Sequence, residues 1–133
     1  MAIADSTGLP VAVWAASAAP HETRFVERLV SERVTRSKPL RLIGDKAYDS
    51  DPLDAVCRLQ GIEMIAPHKA NRRKPPTQDG RVLRRYRRRW KVERLFAWLH
   101  NYRRLITRFE YYFENFLAFL KFATFMILAN KYL

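Results

Sequence analysis

The stretch from residue 69 to residue 94 constrains this chain more than any other, because it is too charged to enter a core. It holds Lys69, Arg72, Arg73, Lys74, Arg81, Arg84, Arg85, Arg87, Arg88, Arg89, Lys91 and Arg94, about half of the 25 basic residues, against only Asp79 and Glu93. A length of 133 residues fits one domain and hardly two. The predicted organisation is one domain in three parts: sheet and helices over 1–67, a basic linker over 68–80, and a helical part over 81–133. Hydrophobic residues make up 48% of the chain, enough to build a core and too many for a disordered polypeptide.

A solvated helix face usually mixes signs, and this stretch does not. Its bias toward arginine suits bidentate phosphate contacts. The net charge of +12 predicts a polyanionic partner that offsets self-repulsion. Nucleic acid is the first candidate and an anionic membrane surface the second. Phosphate contact is therefore expected of Arg72, Arg73, Lys74, Arg84, Arg87, Arg88, Lys91 and Arg94.

Residues 1–4 and 9–15 are apolar and flank Asp5-Ser6-Thr7-Gly8, which predicts a hairpin. Phe25, Val26, Leu29, Val30 and Val34 recur at helical spacing, predicting an amphipathic helix over 21–36 that stops before Pro39. Residues 40–44 predict a strand ending at Asp45. Asp51 then looks like an N-cap with Pro52 at the first helical position, and Leu53, Val56, Cys57 and Leu59 supply an apolar face up to Gly61. Residues 62–66 predict another strand, 81–100 a long helix and 114–132 a final helix. The order reads as mixed α/β.

Cys57 is the only cysteine, so no intrachain disulfide forms and a reducing compartment is expected. His21, His68 and His100 lack zinc-type spacing. The N-terminus has no basic start, and Asp5, Gly8 and Pro10 interrupt it, unlike a signal peptide. The apolar run over 116–129 is broken by Lys121 and falls short of the ~20 residues of a membrane span. A buried or partner-facing helix is expected there.

Two carboxylates stand out. Asp45 lies just past the end of a predicted strand, where open α/β sheets place their sites. The same position suits a turn or cap residue, the reading that Asp49 and Asp51 favour. On a continuous helix over 81–100, Tyr86, Arg89, Glu93 and His100 fall within about 60° of one another. Val92, Leu95, Phe96 and Leu99 form an apolar stripe beside them. Glu93 is then either a helix glutamate offsetting arginines or a metal-binding carboxylate in a phosphate-binding cleft. Trp90 and Trp98 fit core packing better than base stacking.

At Gly44-Asp45-Lys46-Ala47-Tyr48-Asp49-Ser50 and Arg88-Arg89-Trp90-Lys91-Val92-Glu93-Arg94-Leu95-Phe96-Ala97-Trp98-Leu99, the sequence resembles insertion-sequence DDE transposases. The resemblance extends to Asp5-Ser6-Thr7-Gly8-Leu9-Pro10 and Ile62-Glu63-Met64-Ile65-Ala66-Pro67. It implies a ribonuclease-H-like mixed sheet with flanking helices and a helical C-terminus. It also implies a site of two aspartates and a glutamate, in which Asp45 is the second carboxylate and Glu93 the third. Tyr86, Arg89 and Glu93 match the family's Tyr-Arg-Glu-Lys signature, with His100 in the usual Lys position. The family's first Asp lies on a strand ahead of the opening hairpin, so the resemblance describes an N-terminally truncated domain without its first strand.

The implied function is cleavage and transfer of DNA strands during transposition, with two Mg²⁺ or Mn²⁺ ions in the complete enzyme. The partners are double-stranded DNA, at transposon ends and target, and a homo-oligomer or an upstream transposase segment, without a membrane. The implied location is the bacterial cytoplasm, at the nucleoid. Tyr86, Arg89 and His100 are the expected contacts to the phosphate near the scissile bond. Three rivals share the charge: an inactive remnant that binds DNA or dimerises, a basic RNA-binding module, and a protein of anionic membranes.

Overall fold

The computed structural model describes residues 1–17, 20–78 and 80–133, so Asp79 lies outside the described residues. It is mixed α/β, as expected, and divides into two compact units. Met1–Ser17, Arg28–Thr35 and Trp90–Leu133 form the first; Ala18–Glu27 and Arg36–Arg89 form the second.

In the first unit β1 (Ala2–Ala4) pairs antiparallel with β2 (Pro10–Val13), Ala2 opposite Val13, giving the predicted hairpin. Its turn is organised by Asp5, whose Oδ1 accepts from the Thr7 N–H (2.7 Å), the Thr7 hydroxyl (2.7 Å) and the Leu9 N–H (3.0 Å). Gly8 turns the chain at φ +90°, a region that disfavours any side chain. Against the hairpin lie α4 (Trp90–Leu99) and α6 (Phe113–Tyr132), with the short α5 (Arg103–Ile106) between them in sequence. Leu95, Leu99 and Ala123 are buried together, flanked by Ala2, Ala4, Trp98, Tyr102, Leu105, Leu120 and Ile127. The predicted stripe holds at Leu95 and Leu99, whereas Phe96 lies at the surface.

In the second unit β3 (Arg41–Ile43) and β4 (Glu63–Ile65) pair in parallel, Leu42 opposite Met64 and Ile43 opposite Ile65. The connection is α2 (Asp51–Leu59), as a parallel pair requires a crossover. Leu53 and Cys57 face the core, but Leu59 is 90% exposed and does not belong to the buried face. Ser50, not Asp51, is the N-cap, and Pro52 is the second helical residue. Asp51 turns its carboxylate instead to Arg72 and Lys74.

Three predicted elements change form. The helix expected over 21–36 is a 3-10 turn (Glu22–Phe25) followed by α1 (Val26–Ser31). It ends early because the Ser31 hydroxyl bonds back to the Arg28 carbonyl (2.7 Å) and the Val34 N–H is given to Val11 (2.8 Å). The helix expected over 81–100 is interrupted: α3 (Gly80–Leu83), a 3-10 segment (Arg84–Arg89), then α4. The wheel drawn through Tyr86 and Glu93 on one continuous helix therefore does not hold. Lastly, α6 starts at Phe113 and runs 20 residues, so the apolar C-terminal segment does not fall short in length. Among the described residues it is the one helix long and apolar enough to cross a membrane by length and composition, with 17% of its most apolar window buried. Lys121 near its middle is held by Glu32 at 2.8 Å.

Candidate functional site

Asp45 stands where the β3 ladder ends. The Gly44 N–H donates to the Ile65 carbonyl (2.9 Å), extending the parallel pairing by one residue before Asp45. A side chain at position 44 would press on Met64 Cε at 2.7 Å and Tyr48 Cδ2 at 2.8 Å, which is why glycine precedes the carboxylate. Asp45 caps the 3-10 turn Lys46–Tyr48, its Oδ1 accepting from the Ala47 N–H at 2.8 Å. Both readings of this position thus meet: it is a cap, and it is at the carboxyl edge of a parallel strand pair. Beneath it, the Tyr48 hydroxyl donates to Glu22 Oε2 at 3.0 Å, and burial together with that carboxylate pushes the phenol well above its ordinary range.

The same edge carries the segment after β4. Its anchor is Asp49, whose side chain is 4% exposed. Asp49 accepts from His68 Nδ1 (2.9 Å), the Lys69 N–H (2.8 Å) and Arg72 Nη1 (2.8 Å). Burial pushes the Asp49 carboxyl up, but the Lys69 N–H, His68 and Arg72 outweigh it and hold the group below the usual carboxylate range. Arg72 also gives Nη2 to Asp51 at 2.8 Å and Nε to the Pro75 carbonyl at 3.2 Å. Lys74 pairs with Asp51 at 2.9 Å, while Arg73 between them is exposed.

In the 3-10 segment, residues three apart eclipse. Arg89 therefore sits over Tyr86 and donates Nη1 to its hydroxyl at 2.7 Å, with the guanidinium 5.7 Å from the ring. Arg84, Arg87 and Arg88 are exposed.

Glu93 belongs to the other unit, in the first turn of α4, with its side chain exposed. An acid there complements the helix dipole. Its neighbours serve the hairpin: Lys91 Nζ donates to the Ser6 carbonyl and Arg94 Nη2 to the Thr7 carbonyl. Arg94 also lies over Trp90 (4.9 Å) and Trp98 (5.0 Å), and Gly8 leaves room for its guanidinium. Trp90 is half exposed and Trp98 packs at the edge of the core. His100 is exposed just past the end of α4.

The transposase DDE domain family matches residues 1–128. The chain belongs to this family. It is 34% identical over 136 aligned residues to a Burkholderia cepacia protein assigned as the transposase for insertion sequence element IS402. That alignment covers 96% of this chain and 61% of the relative, so the chain spans about three-fifths of that protein's length. No solved structure matches the chain.

Within this transposase DDE domain the expected site residues divide by unit. Asp45, Arg72, Arg73, Lys74, Tyr86, Arg84, Arg87, Arg88 and Arg89 lie in one, and Lys91, Glu93, Arg94 and His100 in the other. Arg72, Lys91 and Arg94 have donors committed to protein oxygens, which charge counting did not reveal. The Asp49–His68 pair is invisible in the sequence, since no spacing pattern joins residues 19 apart across a crossover.

Members of this family use divalent metal ions, and carboxylate oxygen is the donor Mg²⁺ and Mn²⁺ prefer. Yet no three His, Cys, Asp or Glu side chains among the described residues come together as a metal-holding group. The described residues do not by themselves fit a metal site.

Proposed function

We propose that the chain is the catalytic-domain portion of an insertion-sequence transposase, acting on double-stranded DNA at transposon ends and target. The supporting observation is Asp45, set in a family-specific motif at the carboxyl edge of a parallel strand pair. In this reading the domain is ribonuclease-H-like, Asp45 and Glu93 are the second and third catalytic carboxylates, and the first comes from an upstream segment. The greater length of the relative is consistent with such a segment. The two-ion Mg²⁺ or Mn²⁺ site belongs to the completed triad.

The Tyr86–Arg89 pair grips the phosphate beside the scissile bond, and its mutual hydrogen bond fixes the guanidinium before DNA arrives. Arg73, Arg84, Arg87 and Arg88 hold flanking phosphates, with His100 at the position of the family's lysine. DNA as substrate places the protein in the cytoplasm at the nucleoid. Phe119, Phe122 and Phe125, exposed along α6, suit assembly with a second copy or with the upstream segment rather than a membrane. A second reading is a remnant that binds DNA without cutting it, since no three His, Cys, Asp or Glu side chains come together among the described residues.

The test is cleavage of labelled transposon-end DNA by the chain alone and with the upstream polypeptide supplied in trans. The chain alone is expected to bind but not nick; the pair is expected to nick, and Asp45→Asn or Glu93→Gln in the chain to abolish this. Strong metal-dependent nicking by the chain alone refutes the incomplete-site reading. No nicking by the pair favours the remnant.

A further inference from the structure

The basic segment after β4 is not a free tether. His68, Lys69, Arg72 and Lys74 are all bound to Asp49 or Asp51, at 2.8–2.9 Å. His68 Nε2 in turn accepts from the Thr77 N–H at 3.2 Å, which puts the ring proton on Nδ1, facing Asp49. The segment is thus pinned at both ends and in the middle. Asp49 follows the Asp45 turn at the end of β3, and the segment follows β4. In a parallel pair both therefore leave the same sheet edge. Arg72 spends its guanidinium inward, while Arg73 is exposed and makes no ion pair among the described residues.

We propose that Asp49 is a positioning residue: it latches the 68–77 segment to the Asp45 edge so that Arg73 contacts a phosphate of the DNA bound there. The proposal rests on the DNA-binding reading above and assigns Asp49 a role beyond the catalytic carboxylates. Electrostatics and geometry make opposite predictions for its removal. Deleting an acid from a DNA-facing edge strengthens binding if charge alone matters. Releasing the latch weakens binding, because Arg73 is no longer held in place.

The test is binding of a labelled DNA duplex by the 133-residue chain, read by fluorescence anisotropy from about 50 to about 200 mM salt. Arg73→Gln is expected to lower affinity roughly threefold to tenfold and to reduce the log–log salt slope by about one. Asp49→Ala is expected to match both effects despite its favourable charge change, and the double variant to be no worse than either single one. Trypsin cleavage after Lys69, Arg72 and Arg73 should accelerate in Asp49→Ala. Binding that stays equal or tightens, or losses that add in the double variant, overturns the proposal. If Asp49→Ala does not fold, Asp51→Asn, which removes the ion pairs of Arg72 and Lys74 with Asp51 and leaves Asp49 in place, takes its place in the same cycle. Salt-independent binding by the unaltered chain sinks the DNA reading and the Arg73 contact with it. An unchanged trypsin pattern in the variant sinks the latch by itself.

Discussion

The surroundings of Asp45 and of Glu93 are built on different principles. Asp45 is held by backbone and charge: a strand end, a cap on Ala47, and in the same loop the ion pair of Asp49 with Arg72 and its hydrogen bond from His68. Glu93 rides on α4, and α4 is held by apolar burial of Leu95 and Leu99 on its far side. One carboxylate is fixed by what touches its own loop. The other is fixed by residues two and six positions further along, which leave it exposed. A polar anchor gives angular precision and responds to pH; an apolar one gives stability and tolerates changes on the open face.

Four substitutions and one titration sharpen or break this contrast. The largest effect belongs to Leu95, fully buried: Leu95→Ala is expected to cost about 2–5 kcal/mol in denaturant unfolding. A loss below about 1 kcal/mol means that α4 is not held by its apolar side. Next comes Asp45→Ala, which removes a cap and is expected to cost about 1 kcal/mol, read by the same method. Glu93→Gln, at an exposed site, is expected to stay within about 0.5 kcal/mol while cleavage by the completed enzyme is lost. Equal stability losses for Asp45→Ala and Glu93→Gln erase the distinction.

The titration concerns Asp49. Its folded carboxyl lies below the ordinary value, so it contributes stability that is present above about pH 4. That contribution is lost as pH falls through the lowered folded value. Thermal melts of the unaltered chain and of Asp49→Asn should therefore converge on acidification from about pH 5 to about pH 2. A constant gap means that the ion pairs do not carry the latch. The smallest effect is Leu59→Ala at a 90% exposed position, expected within about 0.5 kcal/mol.

Motif and periodicity located much of this. The hairpin around Asp5 to Gly8, the two strands on either side of α2, and Leu95 and Leu99 as a buried pair were legible, because local patterns of period two and near four encode them. Asp45 at the end of a strand was legible for the same reason. The continuous helix through Tyr86 and Glu93 was not a sound inference. Apolar spacing says nothing about residues 84–89, where five of six are arginine and no apolar stripe sets the pitch.

The sequence by itself determined the mixed α/β class and the family, since each is written in contiguous residues, and it marked Asp45 and Glu93 as candidates. Tertiary structure alone decided which cations are available to a partner. Arg72, Lys91 and Arg94 look like Arg73, Arg84 and Arg88 in a string of letters. They differ because Asp49, Ser6 and Thr7, 23 or more residues away, accept their hydrogen bonds. A charge is counted along the chain, but its solvation is set by whatever the fold brings beside it.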